Sequence, residues 1–256
     1  MFSRLLAKIA AATPYSVKRR FRNLKPVYTG LMRIGEGVVV VETSAGKLRW
    51  RIDSLTSQTH LLGSYDIATQ EAFRRFLKNG SVVYDIGAHV GFLSLYCGLL
   101  VGPDGRVVAF EPDPEARASL QSQLAENRSL NVEVLPYAVS DRSGTLLLDT
   151  SVGSSQAFVS ENGSVKVVAE TIDSLVQQQR IAPPALLKVD VEGHEYAVLK
   201  GALETIRQSR PVVICDYNEG DTLGTVTQLL SPLGYEITPG PPIIAVPKCS
   251  AEVRRG

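Results

Sequence analysis

The chain has 256 residues, 44% hydrophobic and 21% charged, with 27 Lys and Arg against 26 Asp and Glu. That composition excludes a disordered or collagen-like chain and leaves room for a large core, and no apolar run approaches the ~20 residues of a membrane-spanning helix. The charge is unevenly placed: residues 1–35 hold eight bases and no acid, and the remaining 19 bases and 26 acids leave the rest of the chain at −7.

In the basic arm, Phe2, Leu5, Leu6 and Ile9 recur at helical spacing, with Arg4 and Lys8 on another face and Pro14 as the stop. Lys18, Arg19, Arg20, Arg22 and Lys25 follow. Lys8 interrupts the apolar run, which argues against a secretory signal. A mitochondrial presequence fits the missing acids, a solvated helix packed on the body is the structural alternative, and a basic amphipathic helix on anionic lipid fits the pattern physically. Peripheral membrane contact through residues 1–26 thus stands beside the packed-helix reading, on a body expected to be cytoplasmic. The three cysteines, Cys97, Cys215 and Cys249, have no metal-ligand spacing and suit a reducing compartment.

Residues 37–52 read as two strands around a turn at Ser44-Ala45-Gly46-Lys47. From Ser81 onward strands alternate with helices. Val82–Ile86, Val107–Phe110, Val132–Leu135, Leu186–Asp190 and Val212–Asp216 read as strands. Phe92–Val101, Pro114 to about Asn127, His194 to about Gln208 and Thr222–Leu230 read as helices. A polar insert, Asp141–Val168, reads as a strand pair, and two late strands lie near Tyr235–Thr238 and Ile243–Val246. This alternation predicts an α/β fold with a doubly wound, mostly parallel sheet, which binds ligands beyond the carboxyl ends of its strands. Asp85, Glu111, Asp190 and Asp216 all fall at or just past strand ends, so they predict one shared ligand edge.

Asp85-Ile86-Gly87-Ala88-His89-Val90-Gly91 leaves a strand and opens a helix, with glycines that let the backbone turn sharply and approach a ligand. Glu111 ends the next strand, where a carboxylate can accept hydrogen bonds from both hydroxyls of a ribose. A dinucleotide loop expects glycine where His89 and Phe92 stand. A cationic methyl donor with no phosphate tolerates this loop and needs an acid near its ammonium, a role open to Asp85. The loop chemistry favours S-adenosylmethionine over a dinucleotide. A dinucleotide-dependent oxidoreductase and a non-catalytic nucleoside-binding adaptor are the alternatives.

Gly63-Ser64-Tyr65-Asp66, Val83 to Gly91, Gly105 to Pro112, Ala138-Val139-Ser140-Asp141, Glu170 to Leu175 and Lys188-Val189-Asp190-Val191-Glu192-Gly193-His194-Glu195 occur in an order that resembles the FkbM family of class I S-adenosylmethionine-dependent methyltransferases. The resemblance covers roughly residues 60–220. It implies a seven-stranded Rossmann-like sheet with its last strand antiparallel, and a hydroxyl as methyl acceptor. It also implies that Gly87, Ala88, His89 and Gly91 line the methionine end of the donor, with Glu111 and the adjoining Pro112 at the ribose. Ala138 and Val139 would border the adenine, and Tyr65 would cover the donor. The chain then divides into a basic arm (1–35), a β-hairpin and cap segment (36–66) and a donor-binding methyltransferase domain (67–256).

Asp190, Glu192 and His194 leave a strand at the ligand edge and are the candidate catalytic residues. His194 suits a general base at neutral pH, Asp190 a contact to donor or acceptor, and Glu192 either chemistry or the start of a helix. A divalent metal on Asp190, Asp216 and Asn218 is a sharper alternative that the resemblance does not imply. His60 stands alone and reads as a linker or substrate-edge residue, and Tyr217 as a surface for a sugar or ring. The expected acceptor is a small hydroxylated metabolite, sugar or glycolipid. The acidic body has no basic stripe for nucleic acid.

Overall fold

The computed structural model describes residues 37–151, 157–216 and 221–248. The basic arm, Tyr217, Asn218 and Cys249 lie outside the described residues.

Strands β1 (Gly37–Glu42) and β2 (Lys47–Ile52) form the expected antiparallel hairpin. Its turn is closed by the Thr43 hydroxyl, which accepts the N–H groups of Ala45 and Gly46 and donates to the Gly46 carbonyl. Alternation along β2 buries Leu48 and Trp50 while Lys47, Arg49 and Arg51 stay exposed. A short helix α1 (Gln58–Leu61) and helix α2 (Ile67–Phe76) lead into the main sheet.

That sheet has seven strands: β3 (Val82–Ile86), β4 (Arg106–Phe110), β5 (Val132–Leu135), β10 (Leu186–Val189), β11 (Val212–Cys215), β12 (Tyr235–Thr238) and β13 (Ile243–Pro247). Their order is β12-β13-β11-β10-β3-β4-β5. Pairing is parallel from β11 through β5, and β13 runs antiparallel to both its neighbours. The strands are apolar on both faces because helices cover both. On one face Tyr84, Ile86, Leu187 and Val189 pack with Leu175, Val198, Ile206 and Val226 of α5 (Ile172–Gln177), α6 (Glu195–Lys200), α7 (Leu203–Ser209) and α8 (Thr222–Leu230). On the other face Val83, Val107 and Leu186 pack with the hairpin, with Phe73 of α2 and with Leu95 and Tyr96 of α3 (Phe92–Val101). Helix α4 (Pro114–Glu126) adds Leu120 over Ala109. Chain order reverses between β3 and β10, so the switch point lies where those two strands end side by side.

Two expectations are corrected. The helix predicted from His194 to Gln208 is two helices. Gly201 lies so close to β6 (Tyr137–Val139) that a Cβ there would stand 2.0 Å from the Ser140 carbonyl. The second helix then starts anew, with the Asp173 carboxylate accepting the N–H groups of Glu204 and Thr205 at 3.1 and 2.7 Å. The insert is more than a strand pair. β7 (Gly144–Asp149), β8 (Phe158–Val159) and β9 (Val165–Glu170) join β6 in a four-stranded sheet of order β6-β9-β7-β8.

Candidate active site

At the switch point a cavity of about 210 Å³ opens at the carboxyl ends of β3, β4 and β10. Its floor is the loop after β3, which is sewn to the end of β4 by the N–H groups of Gly87 and Ala88, both donating to the Phe110 carbonyl at 3.1 and 3.0 Å. Gly87 and Gly91 have φ of +78° and +84°. Their glycines serve packing: a Cβ on Gly87 would stand 1.8 Å from the Asp190 carbonyl oxygen, and one on Gly91 would stand 2.0 Å from Leu120 Cδ1. Close packing at these two positions adds a second reason for glycine to the one expected from the sequence, and Gly87 also lines the cavity.

Glu111 lies on the wall, with each oxygen anchored once. Oε2 accepts the His89 N–H at 2.6 Å and Oε1 accepts the Asp113 N–H at 2.9 Å. Burial pushes its carboxyl up to about 7 against the pull of those two backbone donors. Each oxygen keeps a lone pair, so the carboxylate can accept two neighbouring hydroxyls. Pro112, Ala138 and Val139 line the same cavity and offer an apolar border for a flat heterocycle.

Lys188 is the residue that sequence reasoning passed over. It sits inside β10 at 4% exposure and lines the cavity. Its Nζ stands 3.1 Å from Asp85 Oδ1, an ion pair off the line of an ideal hydrogen bond, and 3.3 Å from Asp190 Oδ2. It also donates to the Gly87 carbonyl at 2.8 Å. Burial works against its charge, but the carboxylates of Asp85 and Asp190 hold the lysine above its ordinary value. The signal was present: a lysine within Leu-Leu-Lys-Val in a buried parallel strand requires carboxylate partners. Asp85, expected at the donor's ammonium, is fully buried behind the cavity wall, where Ser94 Oγ donates to its other oxygen at 2.5 Å. Gly91 also lies outside the cavity lining.

The other expected residues converge. Tyr65, Gly87, Ala88, His89, Asp190, Glu192, His194 and Asp216 line the cavity. Burial pushes the Tyr65 hydroxyl up to about 12, so it stays protonated. His194 Nε2 lies 3.0 Å from Ser140 Oγ, and burial lowers its pKa, which keeps the imidazole neutral. Glu192 adopts φ +50°, and burial followed by the charges of Asp190 and Asp216 raises its carboxyl. Leu148 and Val159 of the four-stranded sheet, with Ala157 just before β8, form an apolar wall, and His60, read only as a linker or substrate-edge residue, is part of the lining. Among the described residues no three His, Cys, Asp or Glu side chains group to hold a metal, and Asn218 lies outside them.

These residues fit a cationic nucleoside: a doubly accepting carboxylate at Glu111, an apolar border, and an excess of carboxylates around one buried lysine. The FkbM methyltransferase domain family matches residues 85–237. The hexuronic acid methyltransferase AglP of Haloferax volcanii is 31% identical over 193 residues, covering 74% of this chain and 75% of that protein. The 31-O-demethyl-FK506 methyltransferase FkbM of Streptomyces tacrolimicus is 24% identical over 242 residues, covering 80% of this chain and 88% of its own length. A solved FkbM methyltransferase from Methylobacillus flagellatus shares 18% identity at a TM-score of 0.48, over 75% of this chain and 55% of that one. The family match and the AglP similarity set aside the oxidoreductase alternative, and the chain belongs to the FkbM family of S-adenosylmethionine-dependent methyltransferases.

Proposed function

We propose that the protein methylates a hydroxyl group on a small metabolite, sugar or glycolipid, with His194 as the general base. S-adenosylmethionine, when bound, supplies a methyl already activated by its sulfonium. What remains for the chain is to hold the acceptor oxygen in line, exclude water and remove its proton. The observation that carries the reading is His194: a neutral imidazole on the cavity wall, steadied by Ser140, in a cavity that Asp190 and Glu192 also line. As the acceptor oxygen bonds to the methyl and the sulfur–methyl bond breaks, the hydroxyl proton passes to the imidazole. Asp190, fixed by Lys188, is suited to orient the acceptor. The similarity to a hexuronic acid methyltransferase supports a sugar-type acceptor.

The test is transfer of labelled methyl from S-adenosylmethionine into a metabolite extract, followed by identification of the product. His194→Gln is expected to bind the donor normally and to lose about 10²- to 10⁴-fold in kcat, the usual contribution of a positioned base. Donor binding without transfer to any extract would favour the adaptor reading. Full activity in His194→Gln would remove the base assignment.

A further inference from the structure

The charge on the cavity lining is one-sided. Four carboxylates line it, those of Glu111, Asp190, Glu192 and Asp216, and among the described residues Lys188 is the only Lys or Arg that does. Lys188 has little left to offer a ligand. At 4% exposure its Nζ already faces Asp85 at 3.1 Å, Asp190 at 3.3 Å and the Gly87 carbonyl at 2.8 Å, three partners for a group with three donors. In sequence, the stretches 152–156 and 217–220 lead into Ala157 and out of Asp216. They contain no Lys or Arg, and the second adds Glu219.

With Glu111 assigned to the donor's ribose, Asp190, Glu192 and Asp216 share the rest of the lining with His194. Burial raises the Glu192 carboxyl, and the charges of Asp190 and Asp216 raise it further, so these acids already repel one another. An ionised carboxylate only accepts hydrogen bonds. Three of them on one lining call for a ligand that donates, and a polyhydroxylated ring has a donor on several carbons. A ligand carboxylate has none, and it would bring another negative charge into a cavity whose one cation is taken, which costs affinity. Leu148 and Val159 pair across β7 and β8, and with Ala157 they give an apolar patch suited to the C–H face of such a ring.

We infer that the unit receiving the methyl is a polyhydroxylated ring without a carboxylate. Asp190, Glu192 and Asp216 accept hydrogen bonds from its other hydroxyls, and the same charges reject a uronic acid. The inference names the acceptor class for the proposed reaction and rests on the hydroxyl-methylation reading.

The experiment transfers labelled methyl from S-adenosylmethionine into a metabolite extract. The product is treated with alkali, and its labelled unit is then released by acid hydrolysis and identified by mass. The expected label resists alkali, as an ether does, and lies on a unit with no carboxylate. Alkali-stable label on a uronic acid would overturn the inference and leave the hydroxyl reading standing. Alkali-labile label marks a carboxyl ester and would overturn both, as would donor binding with no transfer. The role of the charges is then measured on the identified acceptor and on its analogue with one hydroxyl or hydroxymethyl group replaced by a carboxylate. Wild type should prefer the uncharged compound by about tenfold or more in kcat/KM. Asp216→Asn and Glu192→Gln each remove one charge at nearly constant volume and should narrow that ratio, whatever they do to the overall rate. Thermal melts establish that each variant is folded. A ratio unchanged in both variants would overturn the assignment of selectivity to these charges.

Discussion

Glu111 combines two demands that pull its proton in opposite directions. As the proposed ribose acceptor it must be charged to accept two hydroxyls, yet burial pushes its carboxyl up to about 7 in the free protein. Donor affinity should therefore weaken as pH falls through 7, by up to about tenfold per unit, because binding must first remove the proton. Calorimetry between about pH 6 and 8 would show this slope, and Glu111→Gln should flatten it while weakening binding throughout. The linkage to folding has the opposite sign. The folded state holds a proton that the unfolded chain, with its ordinary value of 4.5, has lost, so this group lowers stability as pH rises from 4.5 to about 7. Lys188 poses the complementary problem. Lys188→Met would leave Asp85 fully buried without its counter-charge, a defect of about 3–5 kcal/mol. Urea unfolding at neutral pH should show that loss as a lowered midpoint.

At the level of elements, the site depends on how closely three strand ends and two helices approach one another. Gly87 and Gly91 test this in two different ways. A Cβ on Gly87 meets backbone, the Asp190 carbonyl at 1.8 Å, while one on Gly91 meets Leu120 Cδ1 at 2.0 Å, the end of a side chain that can rotate. Both positions have positive φ, so both alanine variants are strained. Gly87→Ala should lower the urea midpoint more and should also weaken donor binding, because it separates β3 from β10 beneath the cavity. The same comparison explains what could be read from sequence. Strands β3, β4, β10 and β11 were legible because a parallel strand covered on both faces is almost wholly apolar. The loop after β3 and Glu111 were legible because their spacing is local. The four-stranded sheet was not, because β6 pairs in parallel with β9, about 30 residues away, and no turn signal marks a partner so distant. His60 looked isolated because Trp50, Tyr65 and Phe92 come from three separate elements that meet only in the folded chain. The break at Gly201 was hidden for the same reason, since its cause is the Ser140 carbonyl.

For the whole molecule, the near-zero net charge separates into a basic segment and an acidic one. The cavity lining runs from His60 to Asp216, entirely within the segment that carries −7, and the eight bases of residues 1–35 precede it. Among the described residues no helix is long and apolar enough to cross a membrane. We propose that peripheral contact through the arm is electrostatic in large part, worth about 1 kcal/mol per base close to an anionic surface and screened by salt. A chain lacking residues 1–35 should bind S-adenosylmethionine with unchanged affinity. The full chain should sediment with vesicles containing phosphatidylserine at low ionic strength, release on added salt and ignore vesicles of phosphatidylcholine alone, while the truncated chain should stay in solution in every case. Equal sedimentation of both chains would locate the contact in the body. Loss of donor binding on truncation would mean that the arm helps to build the site, and that the division of the chain at residue 35 separates charge but not function.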